Sequence, residues 1–466
     1  MAPPFAYSVA ALKITVAALM TTAWIARFLE IPPGIDLVMI PGLCEGDLAP
    51  LVDKVHAAGL HARIVRGPKD LREIPEYFGR VARAANYGSW DIEIVAEINN
   101  APRLTPADVR QAATYFRDEG ADIIDIGCTP GLEYPALASV VGELVGAGMR
   151  VSIDSFDPHE VRTAVQAGAR LVFSINNSNL AVAEELAGTG ARVVVIPDFG
   201  GGLETLDASI AALEHWGVSY YIDPIIEPIG FGFAASLERY AETHRRYPSA
   251  ELLMGIGNIT ELTAADTTGV NALLIAVCQE LGVRAVLTTE VIPWARGAVR
   301  EIDVARRLMH YAISNHQLPK HVDDRLLTVK DPAVLAYTEP ELRTLQASIT
   351  DANFRIFADR DTITVLNSER FVRGTDIQEI FNQLAVTEAS HAFYLGKELA
   401  KAKLAITLGK TYRQEGSLSW GYLTPHDDPR QEHLRVTARR TRARAEPAGG
   451  GPSTTGAPSS SDTPRG

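Results

Sequence analysis

In the middle of this chain, Glu97 with Asn99, then Asp125, Asp154, Asn176, Asp198, Asp223, Asn258 and Glu290 each stand at or just past the end of a short apolar run. Carboxylates and carboxamides with few cations make a set of acceptors. Such a set matches a phosphate poorly and a flat heterocycle with several N–H donors in a row well. A buried Asp takes two parallel hydrogen bonds from an N–H and NH2 edge, and Asn serves a neighbouring donor and acceptor together. Each charge-assisted bond contributes roughly 1.5 to 3 kcal/mol, so two or three specify a ring strongly. Asp and Asn also cap helices at strand-to-helix turns. For Asp198, which precedes Gly200-Gly201-Gly202, capping weighs as much as ligand contact.

The apolar runs that position these residues lie at 92–96, 122–126, 149–153, 171–175, 192–196, 219–222, 252–256 and 284–288. A helical pattern follows each, the last from Val299 to Ile313. Eight such units in about 220 residues predict an α/β fold, a (βα)8 TIM barrel, in which strands are continuously apolar because both faces are buried. The unit from Val151 to Asn177 shows the pattern: Pro158 opens a helix, Val161, Ala164 and Val165 give its apolar spacing, and Gly168 ends it. Asp154 and Asn176 then fall at the carboxyl ends of neighbouring parallel strands, where ligands sit in α/β folds.

At 466 residues the chain exceeds one ordinary domain. The expected division is a small N-terminal α/β domain at 1–88, the barrel at 89–316, a small C-terminal α+β domain at 317–425 and a disordered tail at 426–466. Tyr7 to Ile14 is expected as a buried strand. Val16 to Leu29 is expected as a helix and not a membrane anchor, since Lys13 and Arg27 interrupt the apolar stretch. Strands are expected at Asp36 to Met39 and Ala62 to Val65, the second leading to a glycine loop with Arg66 and Lys69. Beyond the barrel, 354–357 and 363–366 alternate as a hairpin, Asp376 opens a helix, and Phe393 to Leu408 is an amphipathic helix with Lys397, Lys401 and Lys403 on its polar side. Past His426 an arginine cluster gives way to Pro, Gly, Ser and Thr, which cannot bury a core. A net charge of -13 argues against nucleic acid, and Cys44, Cys128 and Cys278, scattered without metal spacing, fit a reducing cytoplasm.

Pterin, with its 2-amino-4-oxopyrimidine edge, is a ring that this acceptor set suits. From about Asp91 to His310 the chain resembles the pterin-binding TIM barrels, which include dihydropteroate synthase and the methyltetrahydrofolate corrinoid methyltransferases. The most specific stretches are Gly120-Ala121-Asp122-Ile123-Ile124-Asp125-Ile126-Gly127, Val151-Ser152-Ile153-Asp154-Ser155, and Ala167-Gly168-Ala169 leading to Ser174-Ile175-Asn176-Asn177. The resemblance implies that Asp154 and Asn176 hydrogen-bond the pterin and that Asp223 takes its amino-pyrimidinone edge. It adds Glu97, Asp125 and Asn258 to the ligand-binding set and places Asn99 near a diphosphate and its magnesium. There are departures. Met254-Gly255-Ile256-Gly257-Asn258 replaces the synthase's Ser-Arg-Lys segment, Ala234 stands for a Lys, and Arg300-Glu301-Ile302-Asp303 keeps only part of an Arg-x-His-Asp pattern. Gly257-Asn258 and Ala96-Glu97-Ile98-Asn99 are instead similar to methyltransferase segments.

The resemblance implies a dihydropteroate synthase-like transferase of folate or tetrahydromethanopterin metabolism, joining a pterin methyl diphosphate to an aryl amine. Asn99, Asn258 and Arg300 would be its catalytic residues, Arg103 and Arg296 further cations, and magnesium its metal, held at Asn99. The alternatives are methyl transfer from a methyltetrahydropterin to a separate corrinoid protein, and a non-catalytic carrier or scaffold. A homodimer is expected.

Overall fold

The computed structural model describes residues 5–12, 20–68, 74–78, 87–335 and 337–424. Met1–Tyr422 forms one compact unit; of the second, Leu423–Gly466, only the first two residues are described. The expected arginine cluster and tail therefore lie outside the described residues.

Two parallel strands, β1 (Leu37–Ile40) and β2 (Arg63–Arg66), pack with the helices Thr22–Phe28 and Ala49–Ala57 into a small N-terminal α/β layer. Its core is Ile25, Leu29, Ile40 and Leu51. The strand expected over Tyr7 to Ile14 is a correction. Residues 5–12 carry no strand, Tyr7 and Val9 are 70% and 83% exposed, and among the described residues the sheet here holds β1 and β2 alone, with no strand formed by this apolar stretch. Thr21 caps the following helix through its side chain, so the helix begins later than its apolar content suggested; 13–19 lie outside the described residues. Arg66 donates to the Gly46 carbonyl at 2.6 Å, and Lys69 is not among the described residues.

The centre is a closed barrel of eight parallel strands: β3 (Glu93–Ile98), β4 (Ile123–Gly127), β5 (Arg150–Asp154), β6 (Leu171–Ile175), β7 (Arg192–Val195), β8 (Tyr220–Ile222), β9 (Glu251–Gly255) and β10 (Val283–Thr288). Each strand lies within two residues of its expected run, and the last helix is Ala298–Ser314. Alternation along the strands makes two cores. Ile94, Ile124, Ile153 and Leu252 face the helices, whereas Val95, Ile123, Leu171, Val194, Tyr221, Leu253 and Ala285 fill the barrel centre. Two positions further along the inward set come Glu97, Asp125, Asp223, Gly255 and Leu287. The polar residues thus form the layer above an apolar plug, at the carboxyl ends of the strands.

The C-terminal domain is α+β, with an antiparallel sheet of β11 (Arg355–Ala358), β12 (Ile363–Leu366) and β13 (Phe371–Gly374) against the helix Ala389–Leu408. Asp376 caps the helix Ile377–Leu384 as expected, accepting from the N–H groups of Gln378 and Glu379. The third strand was not foreseen. Among the described residues no helix is long and apolar enough to cross a membrane.

Candidate functional site

Glu97, Asp125 and Ser152 stand in register across β3, β4 and β5, and Gly127 is paired with Asp154. Residues so paired on parallel strands share a face, so these side chains converge inside the barrel. Asp125 is fully buried; its Oδ1 accepts from the Ser152 hydroxyl at 2.6 Å, and its Oδ2 has no partner among the described residues. Burial, then the charges of Asp154 and Glu97, push its carboxyl well above the usual range. Asp154 is also raised by burial, against a 2.9 Å hydrogen bond from Ser174. Glu97 is pushed up to about 7 by burial, then by Asp154 and Glu261, while the Asn99 amide pulls the other way. Gly127 makes room for it: a Cβ there would fall 2.4 Å from a Glu97 carboxylate oxygen.

Asn176 owes its place to a break in β6. Phe173 faces inward, Ser174 takes a left-handed φ of 65°, and Ile175 belongs to the outer core. The register against β7 shifts between Val172 and Ile175. This bulge moves the alternation by one, so that Asn176 and not Ile175 falls on the inward side. Asn176 is 1% exposed, and its Oδ1 accepts from both the N–H and the hydroxyl of Ser178. Only its Nδ2 remains for a ligand. The expectation that this carboxamide offers a donor and an acceptor together is corrected, because the oxygen closes its own turn.

Asp223 has the same half-committed form. Its Oδ1 accepts from the Ile225 N–H at 2.8 Å and the Tyr240 hydroxyl at 2.6 Å, while Oδ2 faces the space above Gly255, where a Cβ would lie 3.8 Å away. Burial pushes Asp223 up to about 6, with Tyr240, the Ile225 N–H and Arg239 opposing.

A cavity of about 210 Å³ opens between β3, β9 and β10, walled by Glu97, Asn99, Asn258, Glu261, Thr288 and Thr289 together with Leu262 and Leu287. Gly255, beside Asp223, and Glu97, whose carboxyl the Asp154 charge pushes up, tie it to the two carboxylates above. Asn258 donates to the Ile226 carbonyl at 3.0 Å, leaving its oxygen for the cavity. The Asn99 oxygen accepts from the Thr289 hydroxyl. Among the described residues no three of His, Cys, Asp or Glu cluster as metal ligands, so magnesium expected at Asn99 meets no protein-built cage.

Two expected rim groups, Asp198 and Glu290, serve the scaffold. Asp198 accepts from the backbone and side chain of Asn177, and Glu290 from Tyr115 and the Val299 N–H at the start of the last barrel helix. The Arg300-Glu301-Ile302-Asp303 segment lies in that helix, where the helical pattern from Val299 to Ile313 put it. Glu301 accepts from Thr267, Thr268, Asn271 and Tyr422, and Asp303 pairs with Arg306 and Arg307. Arg300 stands in the first turn of the helix, half-buried; like Arg103 and Arg296 it forms no ion pair with a described residue. Ser152, Ser174, Tyr240, Thr288 and Glu261 were missed in the sequence. Only Ser152, on the inward alternation of a strand already recognised, left a readable signal.

Residues 100–200 match the family model described as pterin binding enzyme. The chain is 28% identical over 159 aligned positions to the dihydropteroate synthase of Mycobacterium leprae, covering 28% of this chain and 56% of that one. The barrel is dihydropteroate synthase-like, with its match to the pterin-binding family over residues 100–200. On either side of this pterin-binding barrel, residues 1–69 match a family of unknown function, DUF6513, and residues 350–415 match the model PterinBD-DUF4346. An uncharacterized protein of Methanocaldococcus jannaschii is 27% identical over 369 aligned positions, covering 71% of this chain and 70% of that one. Among solved structures, the Yersinia pestis synthase with a pterin-sulfa conjugate gives a TM-score of 0.40 at 18% identity, over 48% of this chain and 95% of that one. The Coxiella burnetii synthase with pteroic acid gives 0.38 at 17%, over 48% and 94%.

Proposed function

We propose that this protein is a dihydropteroate synthase-like transferase that holds a reduced pterin in the barrel mouth and joins its side-chain carbon to an amine. One observation carries the reading: Asp154, Asn176 and Asp223 each keep one polar atom with no hydrogen-bond partner among the described residues, while their remaining atoms are fixed by Ser174, Ser178, Ile225 and Tyr240. Two carboxylate oxygens and one amide N–H match a ring edge with adjacent donors and one acceptor. The fixed halves set their orientation before the ring arrives, which lowers the cost of binding.

In the reaction, the amine lone pair forms a C–N bond to the methylene carbon beside the pterin ring. The C–O bond breaks with its electron pair going to diphosphate, and the nitrogen loses a proton. Diphosphate needs positive charge as it leaves. The cavity walls supply carboxylates instead, and an oxyanion about 4 Å from one is repelled by on the order of 4 kcal/mol at an effective dielectric near 20. Arg103, Arg296 and Arg300, on the connections after the adjacent strands β3 and β10, are cations with no ion pair among the described residues and are suited to receive it.

A second reading, methyl transfer from a methylated pterin to a separate corrinoid protein, is favoured by Asn258 on the cavity wall and by the absence of Lys and Arg from that wall. Diphosphate release from a pterin methyl diphosphate, run beside isotope transfer from a methyltetrahydropterin, distinguishes the two. Release without methyl transfer supports the synthase reading, and the reverse overturns it. Failure of dihydropterin to bind in calorimetry rejects both.

A further inference from the structure

Pro224, Ile225 and Ile226 form the turn that leaves β8 just past Asp223, and this turn engages two ligand-facing side chains at once. The Ile225 N–H donates to Asp223 Oδ1 at 2.8 Å, and the Ile226 carbonyl accepts from Asn258 Nδ2 at 3.0 Å. The chain does not adopt this turn readily. Ile225 has φ 65°, and among the described residues it is the one β-branched side chain in the left-handed region. Strain of that kind disfavours a conformation by roughly fivefold to 150-fold. Something must hold it. Arg239 does so: its Nε donates to the Pro224 carbonyl at 2.7 Å and its Nη2 to the Ile225 carbonyl. A planar guanidinium presents its donors in a fixed fork, so it fixes two successive carbonyls relative to each other, which a Lys ammonium does not. Arg239 lies on the helix Phe233–Arg246 between two other residues that grip the same segment. The Ser236 hydroxyl accepts from the Glu227 N–H at 2.8 Å and donates to the Gly232 carbonyl at 2.9 Å, and Tyr240 donates to Asp223. Positions 236, 239 and 240 share one helix face.

Resting on the pterin reading above, we infer that Arg239 is a positioning residue for the ligand: it clamps the strained turn at Ile225 and through that turn sets the direction of both Asp223 and Asn258. Its guanidinium bonds main-chain carbonyls, so it acts through the turn and not on the ring. Without the fork, Ile225 relaxes to a negative φ. Its N–H then leaves Asp223 Oδ1, and the Ile226 carbonyl leaves Asn258, whose amide is free to turn. One arginine thus ties a carboxylate after β8 to a carboxamide after β9. Its charge acts separately from its fork. Arg239 and Tyr240 from one helix and the Cys278 thiol from the helix Thr267–Glu280 face Asp223, and of these Arg239 is the cation.

The test is a double-mutant cycle in the full chain, read by calorimetric titration of dihydropterin above the Asp223 value of about 6 and by urea denaturation. Arg239→Met keeps a long stem and loses the fork, and should weaken dihydropterin binding about tenfold. Ile225→Gly removes the strain, because glycine takes a positive φ without steric cost. In that background Arg239→Met should cost less than about threefold. Equal losses in both backgrounds, the behaviour of a residue that merely supports the fold, overturn the inference. Arg239→Lys keeps the charge without the fork, so it should lose affinity as Met does while the acid limb of binding moves to higher pH in Met alone. Full affinity in the Lys variant assigns the effect to charge and overturns the clamp. Lys also carries the cycle if the Met variant fails to fold. Asn258→Ala should cost less beside Arg239→Met than in the wild type, and additive losses overturn the tie to Asn258. The urea midpoint follows the same cycle without ligand, falling with Arg239→Met and falling less when Ile225→Gly is present. If dihydropterin does not bind the wild-type protein, the pterin reading is rejected, and the urea cycle alone decides whether the clamp stands.

Discussion

The Tyr240 hydroxyl donates to Oδ1 of Asp223 across 2.6 Å, and this bond decides which oxygen of the carboxylate is left for a ligand. Tyr240 is fully buried, so the bond cannot exchange with water. Tyr240→Phe removes one donor and little volume. Freed from it, Asp223 can rotate and is held less firmly in its charged form. Dihydropterin affinity is expected to fall about tenfold, with the fold retained by circular dichroism. Unchanged affinity would show that Oδ1 is fixed by the Ile225 N–H alone.

The pH dependence of binding follows from Asp223. Its carboxyl is pushed up to about 6 by burial, and it accepts ring N–H donors only when ionised. Through Asp223, affinity should therefore decline as pH falls through about 6. The effect on stability has the opposite sense: a carboxyl whose folded value is raised favours the fold below the ordinary value of 3.8, and that contribution is lost as pH rises through about 6. Tyr240 lowers the Asp223 value, so Tyr240→Phe should move the acid limb of binding to higher pH. Calorimetry from pH 5 to pH 8 reads both effects, and a limb that stays in place in the variant removes Asp223 as its source.

Ser174 tests the bulge. At φ 65° a β-branched residue is strained, so Ser174→Val favours a regular strand in which Ile175 turns inward and Asn176 outward. It also removes the hydroxyl that orients Asp154. The variant should lose pterin affinity by more than about tenfold and stability by about 1 to 3 kcal/mol in urea denaturation. Ser174→Gly keeps the backbone and loses only the hydroxyl, so its affinity should fall between those of wild type and Val. Equal effects from Gly and Val would mean that the hydroxyl matters and the bulge does not.

The barrel was legible in the sequence because every strand is buried on both faces and so stands out as an apolar run between helical patterns. The depth of the carboxylates followed from the same period of two, which carries the inward set from Val95 to Glu97 and from Ile123 to Asp125. Other features had no such signal. The positive φ of Ser174 is carried by a residue with no turn signature, and Tyr240 reaches Asp223 from a helix 17 positions away in sequence. Glu290 carried the same strand-end signature as Asp223, yet it serves Val299 and Tyr115. Residue type at a strand end shows that a polar group is present; its direction depends on the following loop. Near the amino terminus, Tyr7 to Leu12 carries strand-like composition, and only a third edge in the β1 and β2 sheet could have made it a strand.

The unpaired arginines bear on the reaction itself. Arg300 stands in the first turn of its helix, where the helix dipole disfavours a cation, and it has no carboxylate partner among the described residues to offset this. Most other barrel arginines are paired, among them Arg110 with Glu143, Arg162 with Glu185 and Arg306 with Asp122. A cation kept unpaired at a helix start is stabilised when an anion arrives. Arg300→Gln should therefore raise the KM for a pterin methyl diphosphate about tenfold, and Arg103→Gln with Arg296→Gln should add to it, while affinity for unphosphorylated dihydropterin stays constant. That split separates a leaving-group role from a structural one, since a misfolded rim would weaken both ligands together. Methyl transfer releases no anion, so a protein of that class would show no change in any of the three variants. A flat response across all three would therefore favour the corrinoid-linked reading over the synthase.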